Sequence, residues 1–157
     1  MVTDQPGMPS EGIIDAIVSQ ILATGLFDSV NAHQGVSSPG TGMTGAVWVQ
    51  DIEPSPRDSG LASVAVVFTV MARLYMPASS EPLDMVDPLL TQATDTLMGA
   101  YVGGFTLGGL VRNIDVLGEN GRKLGAQYGY VTIEGAPYRC ATITVPCVVN
   151  DPWNEEA

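Results

Sequence analysis

The chain has 157 residues, 45% of them hydrophobic, and acidic residues outnumber basic ones by seventeen to six, for a net charge of −11. This length fits one domain, and the composition is that of a folded chain, not of an intrinsically disordered one. So few basic side chains argue against wrapping a nucleic-acid backbone, because displacing its counterions requires lysine and arginine. The acidity is compatible with a surface that repels DNA, and equally with one that only maintains solubility.

The N-terminal third predicts one helix. Residues 1–9 are expected to form a mobile leader, without the basic region and apolar run of a secretory signal. Ser10 can cap a helix that extends to Ala23 and is ended by Gly25. Its apolar stripe repeats at four-residue spacing and consists of Ile13, Ile17, Ile21, Ile14, Val18 and Leu22. Phe27 and Val30, after the helix, are expected to pack back on the same core.

Two strands and a second helix follow. Residues 34–45 and 53–60 are predicted loops, separated by a strand at 46–52. Residues 61–76 predict a strand with one face on the core and one partly wet, because the even positions from Val64 to Met76 are mostly apolar. The second helix, from Met85 to about Ala100, is expected to be capped by Asp84 and ended by Gly103 and Gly104, and it buries Val86, Leu90, Ala93 and Leu97.

The C-terminal quarter predicts a β-hairpin. A strand at 110–117 and a turn at 118–121 lead into it, and its strands are placed at 127–133 and 138–149 around a turn at 134–137. Cys140 and Cys147 lie seven apart on one strand, which separates them by about 23 Å and points them to opposite faces. They therefore cannot bridge each other, and free buried thiols fit an intracellular protein.

The element order is helix, two strands, helix, three strands. It favours one α+β domain over residues 1–157, with a mostly antiparallel sheet of about five strands and two main helices packed on one face. Residues 150–157 form an acidic tail. The uncharged stretch at 96–111 is sixteen residues long, short of the roughly 20 that span a bilayer, so no membrane segment is expected.

Motifs that could carry chemistry are weak. The segment 40–45 matches GxGxxG, but a strand and not a helix is predicted after it, so a loop is favoured over a dinucleotide site. The segment 118–123 lacks the Gly-Lys-Ser/Thr ending of a phosphate loop and is interpreted as a turn. His33 has no partner nearby in the sequence. Asp51, Glu53 and Asp58 match no calcium loop, which favours a solvated acidic loop.

The glycines and the aromatic residues each allow two interpretations. Five glycines are interpreted as ending a helix and allowing close backbone approach, with a subunit contact as the alternative: Gly99, Gly103, Gly104, Gly108 and Gly109. Tyr128, Tyr130 and Tyr138 beside Arg139 could stack on bases, although cross-strand packing fits the net charge better. Trp153 could anchor the tail on a partner subunit or fold back on its own domain. No catalytic, cofactor-binding or metal-ligating residue is expected.

The closing run is Tyr138-Arg139, Thr142-Ile143-Thr144-Val145-Pro146, Val149-Asn150-Asp151 and Trp153. With the element order, it resembles the tail-terminator and neck proteins of long-tailed bacteriophages. The resemblance covers nearly the whole chain in architecture, and its distinctive residues lie in the last thirty. It implies an α+β subunit of a ring, commonly of six, that caps the tail tube, ends its polymerisation and joins it to head-completion proteins while double-stranded DNA passes through unbound.

These expectations leave four hypotheses about function, in order of preference. The first is a tail terminator in the virion, assembled in the host cytoplasm, with itself, the tail tube protein and the neck proteins as partners. The second is a head-completion stopper or another neck ring protein. The third is a cellular small-molecule-binding domain with Trp48, Phe68 and the hairpin tyrosines lining a pocket, and an enzyme is less favoured still. Loops 34–45 and 53–60 would become ordered on docking, and sheet edges left by the strand at 61–76 and by the hairpin would pair between subunits.

Overall fold

A computed structural model of the chain describes residues 9–32, 42–55, 64–79, 85–103, 106–107 and 109–150. Within these ranges the chain forms two helices and six strands. In chain order they are α1 (Ser10–Ala23), β1 (Ser29–Asn31), β2 (Thr44–Pro54), β3 (Ala65–Pro77), α2 (Val86–Val102), β4 (Asn113–Ile114), β5 (Gly125–Ile133) and β6 (Ala136–Asn150).

The strands form one sheet in the order β1-β2-β3-β6-β4, with β5 also paired to β6. Only the β1–β2 pair is parallel. Strands β4 and β5 lie end to end along the same side of β6, because β5 pairs with its first part and β4 with Cys147 and Val148. The sheet is therefore five strands wide and mostly antiparallel, which confirms the predicted α+β class.

Pro146 occupies the gap between β5 and β4. Its carbonyl accepts a hydrogen bond from the Asp115 amide, so its missing N–H would have pointed to the same side of β6. No strand pairs with β6 at that point, since β5 begins opposite Thr144 and β4 ends opposite Cys147. A proline is tolerated in this inner strand because the ladder is already interrupted there.

Both helices pack on the same face of the sheet, as predicted. The core between them and the sheet combines the apolar stripes of the helices with alternate residues of β3 and β6, among them Ile13, Ile17, Ile21, Leu90, Leu97, Phe68, Val70, Leu74, Ile143, Val145 and Cys147. Alternation along a strand places every second side chain on this face. Phe27 is buried in this core and Val30 packs against it, which confirms both predictions.

The opposite face of β3 is less exposed to solvent than predicted. Val67 and Thr69 are buried there, and Tyr75 packs edge-on against Tyr138 in a second apolar cluster with Ala46, Ile133 and Cys140. The turn before β5 also reaches this face, because Arg122 forms an ion pair of 2.7 Å with Asp51 of β2. Cys140 and Cys147 lie in different clusters, so their predicted placement on opposite faces is confirmed.

The helices begin and end close to the predicted residues, but their caps differ. Ser10 is the first residue of α1 and not its cap, Pro9 holds the cap position, and no side chain caps the helix. Gly25 follows the end of α1 with φ +74°, and Gly103 caps α2, as predicted. The expected cap Asp84 and Gly104 lie outside the described residues. Leu22, assigned to the buried stripe, is 45% exposed.

Several strand predictions are wrong at their ends. Residues 44–45 and 53–54, expected in loops, belong to β2, and the predicted strand 110–117 is reduced to the two residues of β4. The parallel strand β1 was not predicted, since three residues are too few for a periodic signal. Strand β3 lies between β2 and β6, so it leaves no open edge, contrary to expectation.

The hairpin turn is tighter than predicted. Only Glu134 and Gly135 form it, with φ of 51° and 79°, and Ala136 and Pro137 already pair with β5. Positive φ at both central residues is the mark of a type I′ turn, whose twist matches that of a two-stranded ribbon. Glycine at the second position adopts this conformation without steric cost.

Asp115 organises the turn between β4 and β5. Its carboxylate is 4% exposed and accepts hydrogen bonds from the backbone amides of Gly118, Glu119 and Asn120 at 2.7 to 3.0 Å. Three amide donors compensate the burial of this charge. The predicted turn at 118–121 is therefore present, and it is built around a carboxylate that the sequence analysis did not single out.

Candidate interaction surface

The most distinctive surface lies where the hairpin meets the start of α2. Tyr128, Tyr130 and Arg139 of the hairpin meet Asp87 of α2, and we call these four residues the Tyr–Arg cluster. The Arg139 guanidinium lies 5.6 Å from the ring centroid of Tyr128 and 4.7 Å from that of Tyr130. It donates hydrogen bonds to both carboxylate oxygens of Asp87, at 2.8 and 3.3 Å.

Strand register and helix position together build this cluster. Tyr130 pairs directly with Arg139, and two-residue alternation puts Tyr128 on the same face of β5. Asp87 stands in the first turn of α2, where a carboxylate is favoured by the helix dipole. Two further hydrogen bonds hold the parts together, from the Tyr128 hydroxyl to Thr91 and from Arg139 to the Gly129 carbonyl.

The ion pair changes the acid–base properties of both partners. Hydrogen bonding to Arg139 lowers the pKa of Asp87, although partial desolvation opposes this. The same hydrogen bond raises the pKa of Arg139. Both groups therefore remain charged and paired at neutral pH, so the cluster carries no net charge in a chain that is strongly acidic overall.

The cluster is open to solvent at its aromatic end. Tyr130 is 70% exposed and Tyr128 is 40% exposed, whereas the Arg139 side chain is 18% exposed. Tyrosine and arginine are enriched among the residues that contribute most to binding at protein interfaces. Here the arginine is already immobilised by four partners, so docking would cost little side-chain entropy. The arrangement suits binding of another protein.

The third hairpin tyrosine is not part of the cluster. Tyr138 lies on the opposite face and is buried against Tyr75. The three tyrosines, grouped together on their sequence spacing, are therefore separated. Tyr138 pairs with Val131, which lies an odd number of residues from both Tyr128 and Tyr130 and so points to the other face. The predicted cross-strand packing is present between Tyr130 and Arg139, and the hairpin pattern in the sequence indicated this pair. The contribution of Asp87 depends on tertiary packing.

A second polar group lies on the sheet face away from the helices. Arg73 of β3 lies 5.2 Å from the Trp48 ring centroid and donates a hydrogen bond of 2.8 Å to Thr142 of β6. The cleft beside it has a volume of about 280 Å³, and Met71 and Cys140 also line it. A wider cleft of about 620 Å³ is lined by residues 121–127 and Thr144.

These clefts do not form the pocket expected for a small-molecule-binding domain. Phe68 is fully buried in the helix-side core, whereas Trp48 belongs to the cluster on the opposite face. The rings of Tyr128 and Tyr130 contact Arg139 on the helix side, and Tyr138 is buried against Tyr75. The prediction that Trp48, Phe68 and the hairpin tyrosines line one pocket is therefore wrong, because strand alternation sends them to different faces.

The other sequence motifs have structural roles where they are described. Gly42 and Gly45 of the GxGxxG match lead into β2, so a strand follows the motif, as predicted, and Gly40 lies outside the described residues. The segment 118–123 is followed by β5 and not by a helix. A Cβ atom at Gly99 would meet no atom within 4 Å, so this glycine does not serve a close backbone approach.

The acidic and terminal candidates are only partly described. Asp51 is held by Arg122, and Glu53 is exposed at the end of β2. His33, Asp58 and Trp153 lie outside the described ranges, as do residues 34–41, 56–63 and 151–157. Over the part of the chain that is described, no group of three or more His, Cys, Asp or Glu side chains could hold a metal ion, and no helix is long and apolar enough to cross a membrane.

Comparison with known proteins adds no assignment. Neither the protein-family models nor the curated proteins include a match to this chain. Its function has therefore to be argued from the fold, the surface and the residues themselves.

Proposed function

We propose that the protein is a structural component of a bacteriophage virion, in which a ring of its copies caps the tail tube, ends tube polymerisation and joins the tail to the head. The observation that carries this proposal is the Tyr–Arg cluster, with its two exposed tyrosine rings. It is an exposed, immobilised surface without net charge in a chain that is strongly acidic overall. The α+β fold and the closing run of residues support the same assignment.

The division of the molecule into unlike surfaces fits a protein that ends a polymer. Such a subunit must bind the last tube ring on one side and refuse another tube ring on the other. The helix side presents α1, α2 and the Tyr–Arg cluster, whereas the opposite side presents the sheet with Trp48 and Arg73. Two chemically different surfaces of one rigid sheet supply this asymmetry without any bond-making chemistry.

The charge of the chain suits the passage of DNA through a ring. A subunit with a net charge of −11 repels phosphates, and its few cations are largely engaged within the described residues, Arg122 with Asp51 and Arg139 with Asp87. Tight DNA binding needs several free lysine or arginine side chains, since affinity follows the number of phosphates neutralised. DNA would therefore pass through the ring without being retained.

The deciding experiment removes the protein from an infection and inspects the particles by negative-stain electron microscopy. If the proposal is correct, the lysate contains abnormally long tails without heads, and expression of the intact chain from a plasmid restores normal tails. Tails of normal length beside separate filled or empty heads would instead identify a head-completion stopper. Complete infectious particles that lack the protein by mass spectrometry would refute any role in the virion.

A matched pair of variants connects this experiment to the Tyr–Arg cluster. Tyr130→Ala removes an aromatic ring that is 70% exposed, so the fold should survive while complementation fails. Leu117→Ala is the control, because Leu117 is 81% exposed and lies outside the cluster. Full complementation by the Tyr130 variant would show that the cluster does not carry the function.

A further inference from the structure

Among the described strands, the sheet has two sides without a further paired strand, and these differ in chemistry. On the β2 side, pairing with β1 ends at Ala46, and the rest of β2 carries a bulge at Gln50, two acidic residues and a terminal proline. Bulges, edge charges and prolines are the devices by which proteins prevent strands from adding to an edge. Strand β2 is therefore protected against pairing with another chain.

Strand β5 has none of these devices. Its nine residues include no charge and no proline, and its register with β6 is continuous from Gly125 to Ile133. It pairs only with β6, so no described strand covers its outer side. An uncharged edge of this length that no described strand covers is a template for strand addition.

The hairpin turn determines which backbone groups of β5 point outward. A type I′ turn at Glu134–Gly135 makes Ile133 and Ala136 a hydrogen-bonded pair. Because hydrogen-bonded and non-hydrogen-bonded pairs alternate, odd-numbered residues of β5 bond to β6 and even-numbered ones face away. The backbone groups of four residues are therefore aimed at the open side: Ala126, Tyr128, Tyr130 and Thr132.

We propose that β5 pairs with β5 of a second copy of this chain, antiparallel and centred on Gly129. Centring on Gly129 is the register in which all nine residues pair, and it matches outward-facing residues with outward-facing residues. Each of the four even-numbered positions then exchanges two hydrogen bonds with the other copy, for about eight bonds across the contact. Tyr128 of one copy lies opposite Tyr130 of the other, so four tyrosines and two arginines form one continuous surface.

The self-matching register favours a second copy as the occupant, and electrostatics favour β5 over β2 as its site. Two chains of net charge −11 repel each other, and this cost is least where the contact strand has no charge and the neighbouring charges are already paired. Both conditions hold at β5, since Arg139 and Asp87 neutralise each other beside it. The first condition fails at β2, because its open part carries two carboxylates, Asp51 and Glu53, although Arg122 pairs with Asp51.

The contact is two-fold symmetric. A strand that pairs with its own copy uses the same surface on both sides, whereas a head-to-tail ring uses two different surfaces. The proposed contact is therefore additional to ring contacts and joins two subunits, or two rings, through β5. It does not depend on the virion assignment, because it follows from the two sheet edges alone.

Cysteine cross-linking tests the register. In a Cys140→Ala background, Gly129→Cys places two thiols opposite each other in a non-hydrogen-bonded pair, at a Cα separation of about 4.5 Å that a disulfide accepts. Cys140 is removed because it lies directly opposite Gly129 on β6. Mild oxidation should convert most of the protein into a covalent dimer on a non-reducing gel, without unfolding by circular dichroism.

Matched variants in the same background make the test specific. Gln127→Cys and Val131→Cys should each cross-link poorly alone and well when the two are mixed, because position 127 faces position 131 of the other copy. Equal cross-linking at every position would overturn the proposal, since it would indicate random collision. Cross-linking between Gly129→Cys and a Glu53→Cys variant that is as efficient as that of Gly129→Cys with itself would also overturn it, by showing head-to-tail addition at β2.

A substitution at the edge provides an independent readout. Thr132→Pro removes an outward amide without removing a hydrogen bond to β6, so the hairpin should remain intact. Light scattering after size exclusion at 100 μM should give the wild type and the control Thr132→Val twice the mass of Thr132→Pro, whether the unit that pairs is one chain or one ring. A wild-type mass of a single chain, or equal masses for the wild type and Thr132→Pro, would refute the β5 contact.

Discussion

Replacement of Phe68 by alanine should measure how much of the stability resides in the helix-side core. Phe68 lies on the central strand β3, is fully buried and belongs to the cluster that includes both helical stripes. Truncating a buried phenylalanine to alanine costs about 3–5 kcal/mol, from lost transfer free energy and from the cavity that remains. Single domains are stable by only about 5–15 kcal/mol, so this change should remove a large fraction of the total.

Ile52→Ala is the matched control for this change. Ile52 is the β2 residue directly opposite Phe68, but it is 43% exposed. Burial of a whole aliphatic side chain contributes about 1.5–3 kcal/mol, so the control should lose only about 1 kcal/mol. The two variants share strand pairing and differ in burial, which isolates the contribution of the core.

Urea denaturation followed by circular dichroism measures both costs. At roughly 2–4 °C per kcal/mol for a chain of this size, Phe68→Ala should also lower the melting temperature by about 6–20 °C. Phe68→Asp should abolish folding, because it adds an unpaired buried carboxylate to the cavity. A cost for Phe68→Ala below about 1.5 kcal/mol, or no larger than that of Ile52→Ala, would contradict the assigned face of β3.

Three further predictions follow from buried or paired ionisable groups. Asp115→Ala should lower the free energy of unfolding, measured by urea denaturation, by about 2 kcal/mol because three backbone amides lose their acceptor. Asp95→Ala, at an exposed position, should leave it unchanged, and equal effects of the two changes would refute the role of the turn carboxylate. The pKa of Asp87, followed by carboxyl NMR, should lie below the usual 3.9 and return to it in Arg139→Met. Because the folded-state pKa is lowered, the stabilisation from this pair is present above about pH 4 and is lost as the pH falls through the folded-state value. Burial raises the pKa of the Cys147 thiol to about 12. In a variant that retains only this cysteine, reaction with Ellman's reagent at pH 8 should therefore occur at the rate of global unfolding. Rapid reaction of the folded protein would contradict the burial of Cys147.

The sequence by itself determined the elements whose signals are local and repeated. Four-residue spacing placed both helices, as at Ile13, Ile17 and Ile21, and the long alternating run placed β3 and the hairpin. Periodicity reports which side of an element is buried, so the α+β class and the side of the sheet covered by helices followed from it. It also placed Cys140 and Cys147 on opposite faces, since strand alternation is a local property.

Tertiary structure alone decided which strands are neighbours and which are edges. The pattern of β3 is that of a half-exposed strand, yet Val67, Thr69 and Tyr75 on its second face are buried, and Tyr75 packs there in a cluster with residues of β2, β5 and β6. The ion pair of Asp87 with Arg139 joins residues 52 positions apart, and no local pattern encodes such a contact. The open β5 edge has the same origin, because an edge is defined by the strand that is missing beside it, and that absence depends on how the whole chain folds.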